Sequence, residues 1–161
     1  MTKAEIIRDL RISKKLTQEE AAHLVGLSLR TYQNYEYGSS TRDSFKINFI
    51  IKILKDYERI TETKGILSLD EIKSAANDVL SNYKVNYAFL FGDYATSRIS
   101  EESEIKLLIS GNLEGLEKSF IISNLKGKLH KKIEIFIIED LTSNISFIND
   151  ILKCGIRIFS K

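Results

Sequence analysis

Apolar positions in the first third of the chain recur at helical spacing. Ile6, Ile7 and Leu10 form one stripe, and Ala21, Leu24 and Val25 a second. Tyr32 and Tyr35 form a third, and Phe45, Phe49, Ile50, Ile53, Leu54 and Tyr57 a fourth. The spacing predicts an all-α bundle. Thr17 stands before the segment Gln18–Val25, and Glu20 follows three residues later, the pattern of a capping box. Gly26 supplies a left-handed turn, Leu27 fills the core, and Ser28 caps the next helix. Arg30, Thr31, Gln33 and Asn34 then face outward. Periodicity is lost in the polar stretch 58–65, which ends in Gly65. This divides the chain into a first domain over 1–60, a linker over 61–65 and a second domain over 66–161.

The second half alternates in type. Leu69–Tyr83 is amphipathic, with Ile72, Ala75, Ala76, Val79 and Leu80 inward and Ser68 as its cap. Val85–Phe91, Glu104–Ser110 and Lys132–Ile138 have strand length and composition. Leu113–Leu129 and Asn144–Lys153 read as helices, and Ile156–Phe159 as a short edge strand. Helices alternating with three or four strands imply a small α/β layer.

Composition narrows the classes. The chain has 161 residues, 43% hydrophobic and 29% charged, which is globular rather than disordered. No apolar run approaches the ~20 residues that span a bilayer, and the start lacks a signal-peptide core. One cysteine, Cys154, excludes an internal disulfide; with only His23 and His130 it also excludes a cysteine-rich zinc site. A cytoplasmic protein without a membrane partner is expected. The net charge of +2 is uninformative alone. Residues 1–64 carry twelve Lys/Arg against nine Asp/Glu, and residues 65–161 twelve against thirteen, so the basic excess lies in the helical half.

The outward residues of the second helix suit base edges. Arg bonds guanine in a bidentate way, and Asn or Gln does the same with adenine. With Thr17-Gln18-Glu19, Ala22, Gly26, Ser28, Glu36 and Gly38, residues 3–60 resemble the Cro/repressor-type (Xre-like) helix-turn-helix family. The resemblance implies double-stranded DNA as partner, with Gln18 on a phosphate and Ser28, Arg30, Thr31, Gln33 and Asn34 at the interface. It also implies a homodimer on paired half-sites.

Residues 66–160 resemble the minimal nucleotidyltransferase family, a branch of the polymerase-β-like fold. The likeness rests on the lead-in helix, the Phe91-Gly92 turn, the strand pair and Glu139-Asp140-Leu141. In that family a Gly-Ser turn holds the nucleotide phosphates, and carboxylates hold Mg²⁺. Gly92 matches, but Asp93 stands at the serine. Glu104, Lys106 and Glu134 stand at the three carboxylate positions. An ammonium cannot coordinate a dication, and a carboxylate repels phosphate. The expectation is a vestigial site with no catalytic residue, metal or cofactor, in which Lys106 sits between Glu104 and Glu134. The resemblance also implies an antitoxin of the MNT type that acts on a HEPN-type toxin and represses its own promoter. The rivals are a divergent active enzyme using Mg²⁺ and ATP to transfer AMP, and a nucleotide-sensing repressor. Tyr83, Tyr87 and Tyr94 are expected as packing residues around the pocket, Cys154 as a buried or half-buried thiol, and His23 and His130 as solvated side chains.

Overall fold

The computed structural model describes residues 1–40 and 43–161. The chain forms two compact units, Met1–Arg59 and Ile60–Lys161. The first is all helical: α1 (Lys3–Ser13), α2 (Gln18–Leu24), α3 (Leu29–Glu36) and α4 (Ser44–Asp56). Local chemistry sets the helix starts. Thr2 with Glu5, and Thr17 with Glu20, close reciprocal capping boxes at α1 and α2. The Ser28 hydroxyl accepts from the Thr31 amide at α3, and the Asp43 carboxylate accepts from the Lys46 amide at α4. Gly26 takes φ +70° between α2 and α3, the left-handed turn expected there. Ile7, Ala21, Ala22, Tyr32, Ile50 and Leu54 are buried together.

The apolar stripe of α4 departs from expectation. Phe45 and Phe49 are 80% and 46% exposed, whereas Ile47, Ile50 and Leu54 are buried. A helix starting at Ser44 presents the i, i+3, i+7 series from Ile47 to the core, and Phe45 lies about 200° around from Ile47.

The second unit is an α/β layer built on a mixed sheet. Its elements are α5 (Leu69–Leu80), β1 (Val85–Phe91), β2 (Ile105–Gly111), α6 (Glu117–Leu129), β3 (Ile133–Ile137), α7 (Ile145–Cys154) and β4 (Ile156–Ser160). Strand order is β3-β2-β1-β4. β1 runs antiparallel to both neighbours, and β2 and β3 are parallel. Alternation along the strands sends Ala88, Leu90, Leu107, Ile109 and Ile135 into one core with Ile72, Ala76, Leu80, Ile121 and Leu125 of α5 and α6. On the other face Phe147 of α7 meets Phe91 and Phe136 edge-on, with centroids 6.0 and 5.8 Å away.

Three expectations change here. α6 begins at Glu117 rather than Leu113, because Gly115 takes φ +56° in the preceding turn. Cys154 is exposed rather than buried. The close approach falls to Gly155 instead, where an added Cβ would lie 2.6 Å from the Ile151 carbonyl oxygen and 3.1 Å from that of Leu90. The stretch 61–65, expected as a linker, carries a bridge between Thr61 and Lys64 and groups with the second unit. Lys131, fully buried, donates from Nζ to the carbonyls of Glu62 (3.4 Å), Lys64 (3.2 Å) and Glu101. Burial lowers its pKa, and the nearby Glu101 carboxylate opposes that shift.

Candidate functional site

Two surfaces carry the residues singled out above. On the first unit, Arg30 and Asn34 of α3 are exposed, and Thr31 and Gln33 are half-buried. The Ser28 and Thr31 hydroxyl oxygens lie 2.8 Å apart, so Ser28 is spent on the helix start. Gln18 and Gln33 are brought together. Gln33 Nε2 donates to Gln18 Oε1 at 2.9 Å, and Gln18 Nε2 donates to Glu36 Oε1 and to the Tyr37 hydroxyl, both at 3.1 Å. Both N–H groups of the Gln18 amide thus have acceptors within the protein, which leaves none for a phosphate.

The line of contacts ends in a buried ion pair. Arg11 Nε and Nη2 each reach Glu36 at 2.9 Å, and Arg11 Nη1 donates to the Leu16 carbonyl at 2.8 Å. The two side chains are 15% and 1% exposed. Burial alone would raise the Glu36 carboxyl. The hydrogen bonds from Arg11 and Gln18 outweigh it and hold the carboxyl below the ordinary range. The sequence reading missed Arg11 as a partner. Its only signal was an arginine on the α1 face one residue from Leu10.

On the second unit the vestigial residues converge at one end of the sheet. Gly92 turns off β1 with φ +74°. A Cβ built there would meet Lys106 Cδ at 3.4 Å, so the lysine stem lies against the turn that holds phosphates in the family. Lys106 and Glu134 face each other in the parallel register of β2 and β3, and Lys106 Nζ lies 3.5 Å from Glu134 Oε2. Glu104 does not share that ammonium, against expectation. It pairs with Lys132, whose pKa is raised first by the hydrogen bond to Glu104 and then by its charge. Lys132 is the nearer cation because it stands at the mouth of β3, two residues before Glu134 and on the same face. Ser103 Oγ donates to Asp93 Oδ2 at 3.2 Å.

These residues do not fit Mg²⁺. The ion needs several oxygen ligands in near-octahedral geometry. Here an ammonium stands 3.5 Å from one carboxylate, and a second lysine holds the other. Among the described residues no group of three His, Cys, Asp or Glu side chains is placed to hold a metal.

The other residues lie elsewhere. The Tyr94 hydroxyl is buried and accepts from the Leu67 amide, and the Tyr83 hydroxyl accepts from Asn124. Tyr87 packs edge-on to Phe89, 5.8 Å between centroids. Glu139 accepts from Ser110 Oγ at 3.0 Å and from the Gly111 amide at 3.1 Å. It thereby lines a hollow of about 420 Å³ at the opposite end of the strands. His23 and His130 are exposed, as expected. Among the described residues no helix is long and apolar enough to cross a membrane.

A helix-turn-helix bundle followed by a small mixed sheet with helices on both faces defines the class: a nucleotidyltransferase-like α/β domain joined to a helix-turn-helix. Residues 7–61 match the family model described as helix-turn-helix. Residues 74–161 match the one described as polymerase beta, nucleotidyltransferase. The second match spans more than half of the chain, and the chain belongs to that family.

No curated protein matches the sequence. Among solved structures, a toxin–antitoxin complex with AMP-PNP is similar at 14% identity, covering 59% of this chain and 75% of the other, with a TM-score of 0.48. A mutant MntA–HpeT toxin–antitoxin is similar at 15% identity over the same shares, with a TM-score of 0.47. A third contains tri-AMPylated HEPN toxin of Shewanella oneidensis with MNT antitoxin; identity is 11%, coverage 58% and 74%, and the TM-score 0.45. Likeness at this level says nothing about partner or activity.

Proposed function

We propose that this chain is a sequence-specific DNA-binding regulator whose second domain keeps the nucleotidyltransferase fold without the transferase chemistry. One observation carries the second part. The ion pair Lys106–Glu134 occupies the carboxylate positions, and the Lys106 stem covers the Gly92 turn. Asp93, Glu104 and Glu134 against Lys106 and Lys132 leave one net negative charge, which repels a triphosphate. The first part rests on the exposed face of α3, where Arg30 and Asn34 have side chains free to reach base edges. One such domain covers a single half-site, so tight binding calls for a homodimer on two half-sites about one helical turn apart. The sequence resemblance to minimal nucleotidyltransferases supports the biological role in this reading: an antitoxin that binds a HEPN-type toxin through its second domain and represses its own promoter.

The test is made on the full chain. Gel shift against the DNA upstream of its own reading frame is expected to show specific binding. Arg30→Ala should weaken it by about 1–3 kcal/mol at one base position. Incubation with labelled ATP, Mg²⁺ and the adjacent toxin should leave both proteins unlabelled. Label on the toxin, lost in Glu104→Gln, would establish an active transferase instead.

A further inference from the structure

The run Glu139-Asp140-Leu141 takes no part in the vestigial site and follows β3 at the other end of the sheet. There β2 and β3, the parallel pair, both end, with α6 joining one to the other. Ligands of open α/β sheets bind outside the carboxyl ends of their strands. A hollow of about 420 Å³ opens at this point, lined by Asn86, Asn112, Leu113, Lys118, Glu139 and Asp140 among others. One carboxylate in it is already held. Glu139 Oε1 accepts from Ser110 Oγ at 3.0 Å and from the Gly111 amide at 3.1 Å, which fills its two lone pairs. Among the described residues, Glu139 Oε2, the Asp140 carboxylate, the Lys118 ammonium and the side-chain amides of Asn86 and Asn112 have no hydrogen-bond or ion-pair partner. The lining thus offers two carboxylates, one ammonium and two amides, with Leu113 and Ile137 as its apolar part.

We propose that this hollow binds a free basic α-amino acid, lysine or arginine, whose charges are the converse of the lining. Such a ligand carries two cations and one carboxylate. Its α-ammonium matches Glu139 Oε2, because a single free oxygen takes a point donor better than a planar fork. Asp140 keeps both oxygens and takes the side-chain cation, ammonium or guanidinium. Lys118 takes the carboxylate, and Asn86 and Asn112 supply neutral donors and acceptors beside these charges. The methylene stem of the ligand covers Leu113 and Ile137. A polyamine would leave Lys118 facing only cations, and a neutral amino acid would leave one carboxylate unanswered. The surplus of one negative charge also disfavours phosphate. The site stands on this geometry alone and does not depend on the DNA-binding or antitoxin readings.

Titration calorimetry of the full chain with L-lysine and with L-arginine tests this. At least one should bind saturably, with a Kd below about 10 mM. For lysine, norleucine lacks the side-chain ammonium and cadaverine the carboxylate; for arginine, norvaline and agmatine serve the same purpose. Each should bind about 10-fold more weakly than the parent amino acid, or worse. Glu139→Gln keeps an oxygen for Ser110 and Gly111, so the fold survives, but it removes the charge and should weaken binding about 10-fold. Lys118→Met keeps the stem of an exposed side chain and should weaken it by a similar factor. Glu134→Gln, at the other end of the strands, should leave the affinity unchanged. Four results overturn the proposal: no saturable heat with either amino acid; equal affinity for an analogue lacking one charge; affinity indifferent to Glu139→Gln or to Lys118→Met; or loss of binding in Glu134→Gln, which would put the ligand at the vestigial site. If a variant does not fold, the comparison of analogues on the wild type decides alone.

Discussion

Replacing Glu36 with Ala should cost the first unit most of its stability. The carboxylate is 1% exposed and accepts three hydrogen bonds, two from Arg11 at 2.9 Å and one from Gln18 at 3.1 Å. Without it the Arg11 guanidinium, 15% exposed, keeps only the Leu16 carbonyl. Breaking one side of such a pair costs about 3–5 kcal/mol, because the surviving charge is left desolvated. A unit the size of Met1–Arg59 has roughly 3–9 kcal/mol in total at about 0.05–0.15 kcal/mol per residue. The variant should therefore populate the unfolded first unit visibly at room temperature, while the second unit remains folded. Urea titration of the full chain, followed by separate NMR signals from Ile7 and from Leu107, reads the two units apart. The paired change Arg11→Met with Glu36→Met should recover much of the loss, since no buried charge is then stranded. A loss below about 1 kcal/mol for Glu36→Ala would refute the reasoning. So would a paired variant as unstable as the two single changes combined.

Acid should act on the same pair. The folded-state carboxyl of Glu36 lies below its unfolded value of about 4.3, so its stabilisation is complete above that pH and is lost as pH falls through the folded value. Calorimetry should show a melting point of the first unit that is flat from about pH 7 to 5 and falls below about pH 4, with a shallower fall in Glu36→Gln. In the second unit, the triple change Asp93→Ser, Glu104→Asp and Lys106→Asp should restore Mg²⁺ binding measurable by titration calorimetry. The wild type should give no Mg²⁺-dependent heat, and a wild-type signal lost in Glu134→Gln would contradict the account of the site.

Features set within a few residues were legible in the sequence. The capping box at Thr17, the cap at Ser68, the turn at Gly26 and the strand Val85–Phe91 each depend on neighbours in the chain. The phase of α4 was not legible, because two phenylalanines and four isoleucines compete for one face, and only packing against α1 decides between them. Cys154 is exposed where Ile151 of the same helix is buried, and that depends on which face α7 turns to the sheet, which no local pattern encodes. The vestigial site was found through residue types at family spacing. Its wiring was not, since Lys132 and Lys106 are equally plausible partners for Glu104 until the strand register is known. The Gln18–Gln33 contact likewise needs α2 and α3 placed at their crossing angle.

The ammonium of Lys131 determines where the chain can be divided. Its acceptors come from Glu62 and Lys64, at the head of the second unit, and from Glu101 in the loop before β2. A fragment beginning at residue 66, the boundary that composition and periodicity indicate, removes two of those three carbonyls and also Ile60, which is buried in the same core. It would leave a lysine enclosed by protein with most of its partners gone, in a segment that looks, on paper, like an expendable leader. Excision at Ile60 keeps the nest whole. Five residues that read as spacer are thus the first turn of the domain they precede.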